Sequence, residues 1–179
     1  MKEPDILVVG GGPAGMNAAL SAAEAGASVI LVDRFERLGG QLVKQTHKFF
    51  GWAERGAGVR GIELAFKWEK SVLTNTRIQP LLGMEAIGGY KDGVWIVADL
   101  DRYIKIKPKR TIIATGASEK MILFENNDLP GVYGAGAVQT LMNTYGVLPG
   151  QRYLIIGSGN VGVIVAYQLL QAGAQVEAV

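Results

Sequence analysis

A glycine-rich segment occurs twice in this chain, and few folds can use it twice. ILVVGGGPAGMNAALSAAEAGASVILVD runs from Ile6 to Asp33, and LIIGSGNVGVIVAYQLLQAGAQVEAV from Leu154 to Val179. Gly10, Gly12 and Gly15 of the first correspond to Gly157, Gly159 and Gly162 of the second, 147 residues on, both with the spacing G-x-G-x-x-G. Each copy passes from an apolar, β-branched strand through the turn into a helix-length segment and then a second strand. The spacing has a physical logic. The first glycine permits the tight turn, the second lets the backbone approach a pyrophosphate, and the third lets the helix pack closely on the strand. N–H groups at the helix start, together with the positive end of its dipole, then hold phosphates.

In the first copy Asp33 stands 18 residues past Gly15, where a carboxylate can accept hydrogen bonds from ribose hydroxyls. Gly10, Gly12, Pro13, Ala14, Gly15, Asp33 and Arg34 are therefore expected to bind a cofactor, although Arg34 and Arg37 read equally as solvated loop charges. Ala14, Ala18 and Ala22, four apart, suit a helix lying close on a sheet. Gly157, Gly159, Asn160, Val161 and Gly162 are the expected contacts of the second site. The counterpart of Asp33 would be position 180, so a choice between NAD and NADP is not expressed here, and the sequence reads as the N-terminal piece of a longer protein.

Residues 34–62 are irregular and glycine-punctuated, and Glu63 to Asn75 reads as a helix. From Arg77 the pattern becomes strand-like, with Asp92-Gly93 as a turn signal and YIKIK alternating with period two, which predicts an antiparallel meander inside the first α/β unit. Thr111 to Ala114 then returns as a parallel strand into Thr115-Gly116. The run Lys105 to Arg110 reads as an exposed edge strand. A net charge of +2 with scattered Lys and Arg gives no nucleic-acid footprint. The chain contains no Cys, which excludes disulfides, thiolate metal sites and thiol catalysis within it and is compatible with a reducing cytoplasm. No metal site is expected. The apolar run Ile6 to Val9 is too short for a signal segment or a membrane span.

Taken in order, the two fingerprints, Asp33, LGGQL at Leu38 to Leu42 and ATG at Ala114 to Gly116 resemble the two-dinucleotide-binding-domain flavoproteins, the class of the pyridine nucleotide-disulfide oxidoreductases and thioredoxin reductases. The resemblance implies FAD at the first fingerprint and NAD(P)H at the second. It adds Gly40, Gln41, Met84, Ala114, Thr115 and Gly116 to the expected cofactor contacts, with Gly40 and Gln41 near the flavin ring. The C-x-x-C of thioredoxin reductases is absent, its two positions being Gly134 and Ala137. NNDLPGVYGAGAVQTLMNTYGVLPGQR is similar instead to the FAD/NAD(P) subunits of amine- and amino-acid-oxidising complexes.

The expected architecture is α/β: a Rossmann-like FAD-binding domain over 1–120 with a parallel sheet and inserted antiparallel meander, a connecting segment over 121–150, and the first βαβ of a second Rossmann-like domain over 151–179. The expected function is exchange of hydride between NAD(P)H and FAD, with an unidentified small-molecule second substrate; the alternative is a non-catalytic nucleotide-binding subunit of a larger dehydrogenase. Both a homo-oligomer and a hetero-oligomeric assembly stay open, without nucleic acid or a membrane span, in the cytoplasm. No side chain presents itself as a covalent catalyst. His47, the sole His, is either a proton donor near a flavin or a loop residue without a catalytic role. Phe49, Phe50 and Trp52 read as the apolar anchor of its loop.

Overall fold

Strand β1 (Ile6–Val9) is apolar throughout and pairs on both sides: in parallel with β2 (Val29–Asp33), Ile6 opposite Val29, and with β7 (Arg110–Ile113), Ile6 opposite Arg110. With β3 (Ile78–Leu82) outside β2, the sheet order is β3-β2-β1-β7, all parallel. The computed structural model describes residues 1–49 and 57–179, so Phe50 and Trp52 lie outside the described residues. Alternate side chains of the two central strands face opposite layers. Val8 and Leu31 pack with Met16 and Ala19 of α1 (Pro13–Glu24) and Val72 of α2 (Gly61–Leu73). Leu7, Val9, Ile30 and Val32 pack with Met84, Val97 and Ile106, the last two from a meander of β4 (Glu85–Gly89), β5 (Trp95–Ala98) and β6 (Tyr103–Ile106). A strand covered on both faces cannot alternate apolar with polar residues, and β1 and β2 do not.

The β4–β5 turn lies at Asp92-Gly93, as expected, with Gly93 at φ +81° and the Asp92 carboxylate accepting from the Val94 N–H at 3.1 Å. Two details differ from the sequence reading. The strand-like stretch after Arg77 divides: Ile78–Leu82 joins the parallel sheet, and the meander begins only at Glu85. Pro80, which has no N–H to give, is tolerated because β3 is an edge strand. The Lys105 to Arg110 run also divides, between the end of β6 and the start of β7, and Ile106 within it is fully buried while the lysines face solvent.

The chain forms two units: Met1–Leu42 with Ile62–Gly116, and Val43–Gly61 with Ala117–Val179. The second contains α3 (Ala135–Tyr145), β8 (Arg152–Leu154), α4 (Asn160–Gln171) and β9 (Gln175–Ala178), around Val138, Val165, Leu169 and Ala174. Strand β8 ends at Leu154 rather than Ile156, and its register against β9 shifts there, although the Ile155 N–H still reaches the Ala178 carbonyl at 3.0 Å. A two-stranded sheet has no second neighbour to keep such an end regular. Polar side chains bring 43–49 into this unit: Asn143 donates to the Lys44 carbonyl at 2.7 Å, Gln168 to the Thr46 hydroxyl at 2.9 Å, and the buried Gln139 to Gln168 at 3.0 Å. Among the described residues no helix is long and apolar enough to cross a membrane, and no cluster of His, Asp or Glu could hold a metal ion.

Candidate functional site

Where β1 ends, the backbone turns through Gly10 at φ +105°, a left-handed conformation glycine adopts freely. A Cβ there would strike the carbonyl of Ala114, whose own N–H donates to Val9 at 2.8 Å, so the ATG strand end is pressed against the turn. Gly15 is required for a different reason. Its Cβ would collide with the Gly10 carbonyl oxygen, so α1 lies as close to the turn as backbone permits. Gly12 caps α1 in an ordinary extended conformation, and a Cβ on it would meet only the Gly40 Cα, at 3.9 Å. Glycine at position 12 is thus required neither by strain nor by this protein's own packing. What it leaves is bare backbone at the positive end of a helix, with Pro13 at the first helical position and the first-turn N–H groups of Ala14 and Gly15 beyond the reach of any intrahelical acceptor.

Asp33, at the carboxyl end of β2, accepts from the Gly11 N–H through one oxygen and from the Phe35 N–H at 2.8 Å through the other. Each carboxylate oxygen accepts two bonds, so both can still receive a hydroxyl. The loop after β2 folds back over the glycine turn. The Gly39 N–H donates to the Gly11 carbonyl at 2.8 Å, and Gly40, at φ +52°, comes so near that its Cβ would lie 2.8 Å from the Gly12 Cα. A short 3-10 turn, Gly40–Lys44, follows with Gln41 exposed. Beneath it Leu38 is fully buried, its N–H held by Glu69 at 3.0 Å. Gly11, Gly39 and Glu69 escaped the sequence reading; the unbroken Gly10-Gly11-Gly12 was the only trace of the first.

Gly10, Gly12, Pro13, Ala14, Gly15, Asp33, Gly40, Ala114 and, through its strand end, Thr115-Gly116 lie at the carboxyl ends of the adjoining strands β1, β2 and β7 or in the segments that leave them. Two further expected contacts, Met84 and Arg34, have different surroundings. The Met84 side chain is buried in the core with Val97 and Ile106, so only its main chain, whose N–H donates to the Asp33 carbonyl at 3.1 Å, borders the site. Apolar side chains flanking a meander are needed inside. Arg34 is exposed with its guanidinium 5.0 Å from the Phe35 ring, and Arg37 pairs with Glu69 at 3.6 Å and covers Phe66.

The second glycine turn repeats the first in detail. Gly157 stands at φ +114°, a Cβ on Gly162 would collide with the Gly157 carbonyl, and Gly159 caps α4 with nothing near its missing Cβ. Helix α4 begins and ends 147 residues after α1, and Gly26 and Gly173 follow the two helices at φ +91° and +84°. Asn160 and Val161 open the first turn of α4 with Val161 exposed. Also in the second unit, His47 is half-buried, edge-on to Phe49 with ring centres 5.6 Å apart, and desolvation holds its imidazole below the ordinary range. Desolvation likewise lowers Lys44, against the opposing pull of Glu119.

A family described as pyridine nucleotide-disulphide oxidoreductase matches residues 4–179. The alpha subunit of sarcosine oxidase from Rhizobium meliloti (strain 1021) is 33% identical over 98% of this chain and 18% of its own length. One of the subunits of opine oxidase from the same strain is 31% identical over 94% of this chain and 36% of its own. The crystal structure of L-proline dehydrogenase from P. horikoshii superimposes with a TM-score of 0.84 and 28% identity, over 99% of this chain and 35% of that one. The chain thus spans well under half the length of each of these proteins.

Proposed function

Since the chain belongs to the pyridine nucleotide-disulphide oxidoreductase family, whose members use FAD and NAD(P)H, we propose that it carries the adenine-nucleotide half of an FAD site in its first unit and the opening of an NAD(P)H site in its second. The observation that carries this is Gly12, open where its neighbours are crowded, beside a carboxylate with acceptor capacity left. Those residues fit the group. The first-turn amides of α1 would hold the pyrophosphate, Asp33 the ribose hydroxyls, and the Gly39-Gly40 backbone would close over the turn. When bound, FAD supplies two-electron chemistry, exchanging a hydride with NAD(P)H. The protein's share is position and electrostatics, and no side chain here is assigned a covalent role.

The second substrate is proposed from the relatives' names, which point to a small amine or amino acid bearing an oxidisable C–N bond. Gly134 and Ala137, where a dithiol would be required, support that direction over disulfide reduction. Because two of these relatives are named as subunits, a second reading has an observation behind it: this chain serves a nucleotide-binding subunit whose partner oxidises the substrate. A cytoplasmic location goes with the first reading, which draws on intracellular NAD(P)H. Anaerobic addition of NADH or NADPH to the full-length holoprotein separates them. Loss of flavin colour is expected of the oxidoreductase, colour unchanged by either nucleotide supports the reading as a subunit, and a colourless protein that does not take up FAD refutes both.

A further inference from the structure

Helix α3 begins at Gly134, with no side chain of its own first turn to cap it. Its cap comes from elsewhere. Glu119, in the irregular stretch after ATG, places one carboxylate oxygen 2.9 Å from the Ala135 nitrogen and the other 2.9 Å from the Gly136 nitrogen, accepting both N–H groups at once. This satisfies two amides that the helix cannot pair internally and puts a negative charge at the positive end of its dipole.

The glycines of this turn are explained by that carboxylate. Gly134 stands at φ −66°, ψ 146°, a conformation open to any residue. Yet a Cβ on it would lie 2.5 Å from the Glu119 Oε2, and one on Gly136 would lie 3.0 Å from the same atom. A methyl at either place would push the end of Glu119 off the two amides it accepts. The carbonyl side of the same turn is pinned by Lys44, whose ammonium lies 3.1 Å from the Thr140 hydroxyl and 3.4 Å from the Gly136 carbonyl, while Thr140 donates to that carbonyl at 2.8 Å. Between Glu119 and Gly134 the chain has no regular helix or strand and exposes Ile122, Leu123 and Leu129.

We propose that Glu119 is a latch: a tethered carboxylate that seals the N-terminus of α3 and holds the 119–134 segment closed on it, with Gly134 and Gly136 keeping its seat clear. The device goes beyond the cofactor assignment and does not depend on it. Loss of the latch frees the segment at one end and bares two backbone amides, while the core around Val138, Val165 and Leu169 is untouched.

Gly134→Ala, Glu119→Ala and the double variant in the full chain test this, with thermal unfolding and amide exchange as readouts. Gly134→Ala should lower the melting temperature with Glu119 present and have little effect once Glu119 is Ala, because the collision has gone. Exchange at Ala135 and Gly136 should quicken about tenfold in Glu119→Ala, and cleavage by a low dose of protease should move into 120–133. If Gly134→Ala costs the same in both backgrounds, no seat exists. If the variants do not fold, the wild-type chain still decides: unprotected amides at Ala135 and Gly136 beside a protected Val138 would overturn the latch, and protection at all three supports it.

Discussion

Asp33 is already engaged in the free protein, which the motif alone would not suggest. As the acid of a nucleotide fingerprint it is expected to serve the ligand, and a cut to Ala would then leave the free protein undisturbed. Its bonds to the Gly11 and Phe35 amides show that it also ties the glycine turn to the end of β2 before any ligand arrives. Asp33→Ala is therefore expected to lower stability without FAD by about 1–3 kcal/mol, the cost of leaving a half-buried donor unpaired. Urea unfolding of the apoprotein measures it, and a midpoint equal to wild type would deny the tie. Glycines of the same turn divide in the same experiment. Gly15→Ala drives a methyl into the Gly10 carbonyl and should unfold or severely weaken the protein, whereas Gly12→Ala meets open space and should fold as wild type. At the opposite end of the sheet, Asp5 accepts from Ser28 and from Lys109 at 2.7 Å, bonds that hold its carboxyl far below the ordinary carboxylate range and raise Lys109. A depressed folded-state carboxylate stabilises above its unfolded value of 3.8, and this is lost as pH falls through the folded one. Asp5→Asn should therefore lower the melting temperature at pH 6 and flatten its decline below pH 4; parallel curves for the two proteins would remove Asp5 as a cause.

The two βαβ elements share helix bounds 147 residues apart and left-handed glycines at matching places, yet differ in burial. Leu7, Val9 and Met16 are exposed by 0, 8 and 0%, while Leu154, Ile156 and Val163, at the corresponding places, are exposed by 69, 62 and 53%. In the first copy helices on one face and the meander on the other cover the sheet; in the second, among the described residues, one small cluster around Val138, Val165, Leu169 and Ala174 is buried, with Tyr153, Ile155 and Val176 packed against it. Burial rather than hydrogen bonding decides how often an element opens. Amide exchange should report a lower opening free energy for 154–178 than for 6–32 in this chain as a monomer, and equal protection in the monomer would contradict that ranking. One buried polar pair joins α3 to the helix of the second element. Gln139 and Gln168 are 6% and 4% exposed and bonded to each other, so Gln139→Leu strands a buried amide and should cost about 1–3 kcal/mol, read by urea unfolding.

At the scale of the whole chain, what was legible in the sequence and what was not separate by range. Gly10 and Gly15 answer to steric demands from residues nearby or on the next strand, and Gly26 to its own left-handed backbone; such demands recur with the motif, so both glycine turns, both helices and the meander could be read from spacing and periodicity. The burial of the Met84 side chain could not be read, because one methionine just before a strand carries no sign of which way it faces. Glu119 reaching Gly136, Lys44 reaching Thr140 and Thr46 reaching Gln168 join positions that share no period, and the departure of 43–61 into the second unit rests on such pairs. Polar contacts across tens of residues leave no pattern in a single chain. The cofactor assignment itself rests on a local feature, which makes it open to direct trial. FAD titrated into full-length apoprotein, wild type against Gly12→Val, with circular dichroism and urea unfolding to establish equal folding, measures whether the space beside Gly12 is a seat for phosphate. An affinity at least tenfold weaker in a variant as stable as wild type is expected, since a branched side chain fills the place a pyrophosphate would take. Equal affinity in the two folded proteins would contradict the assignment of FAD to this turn.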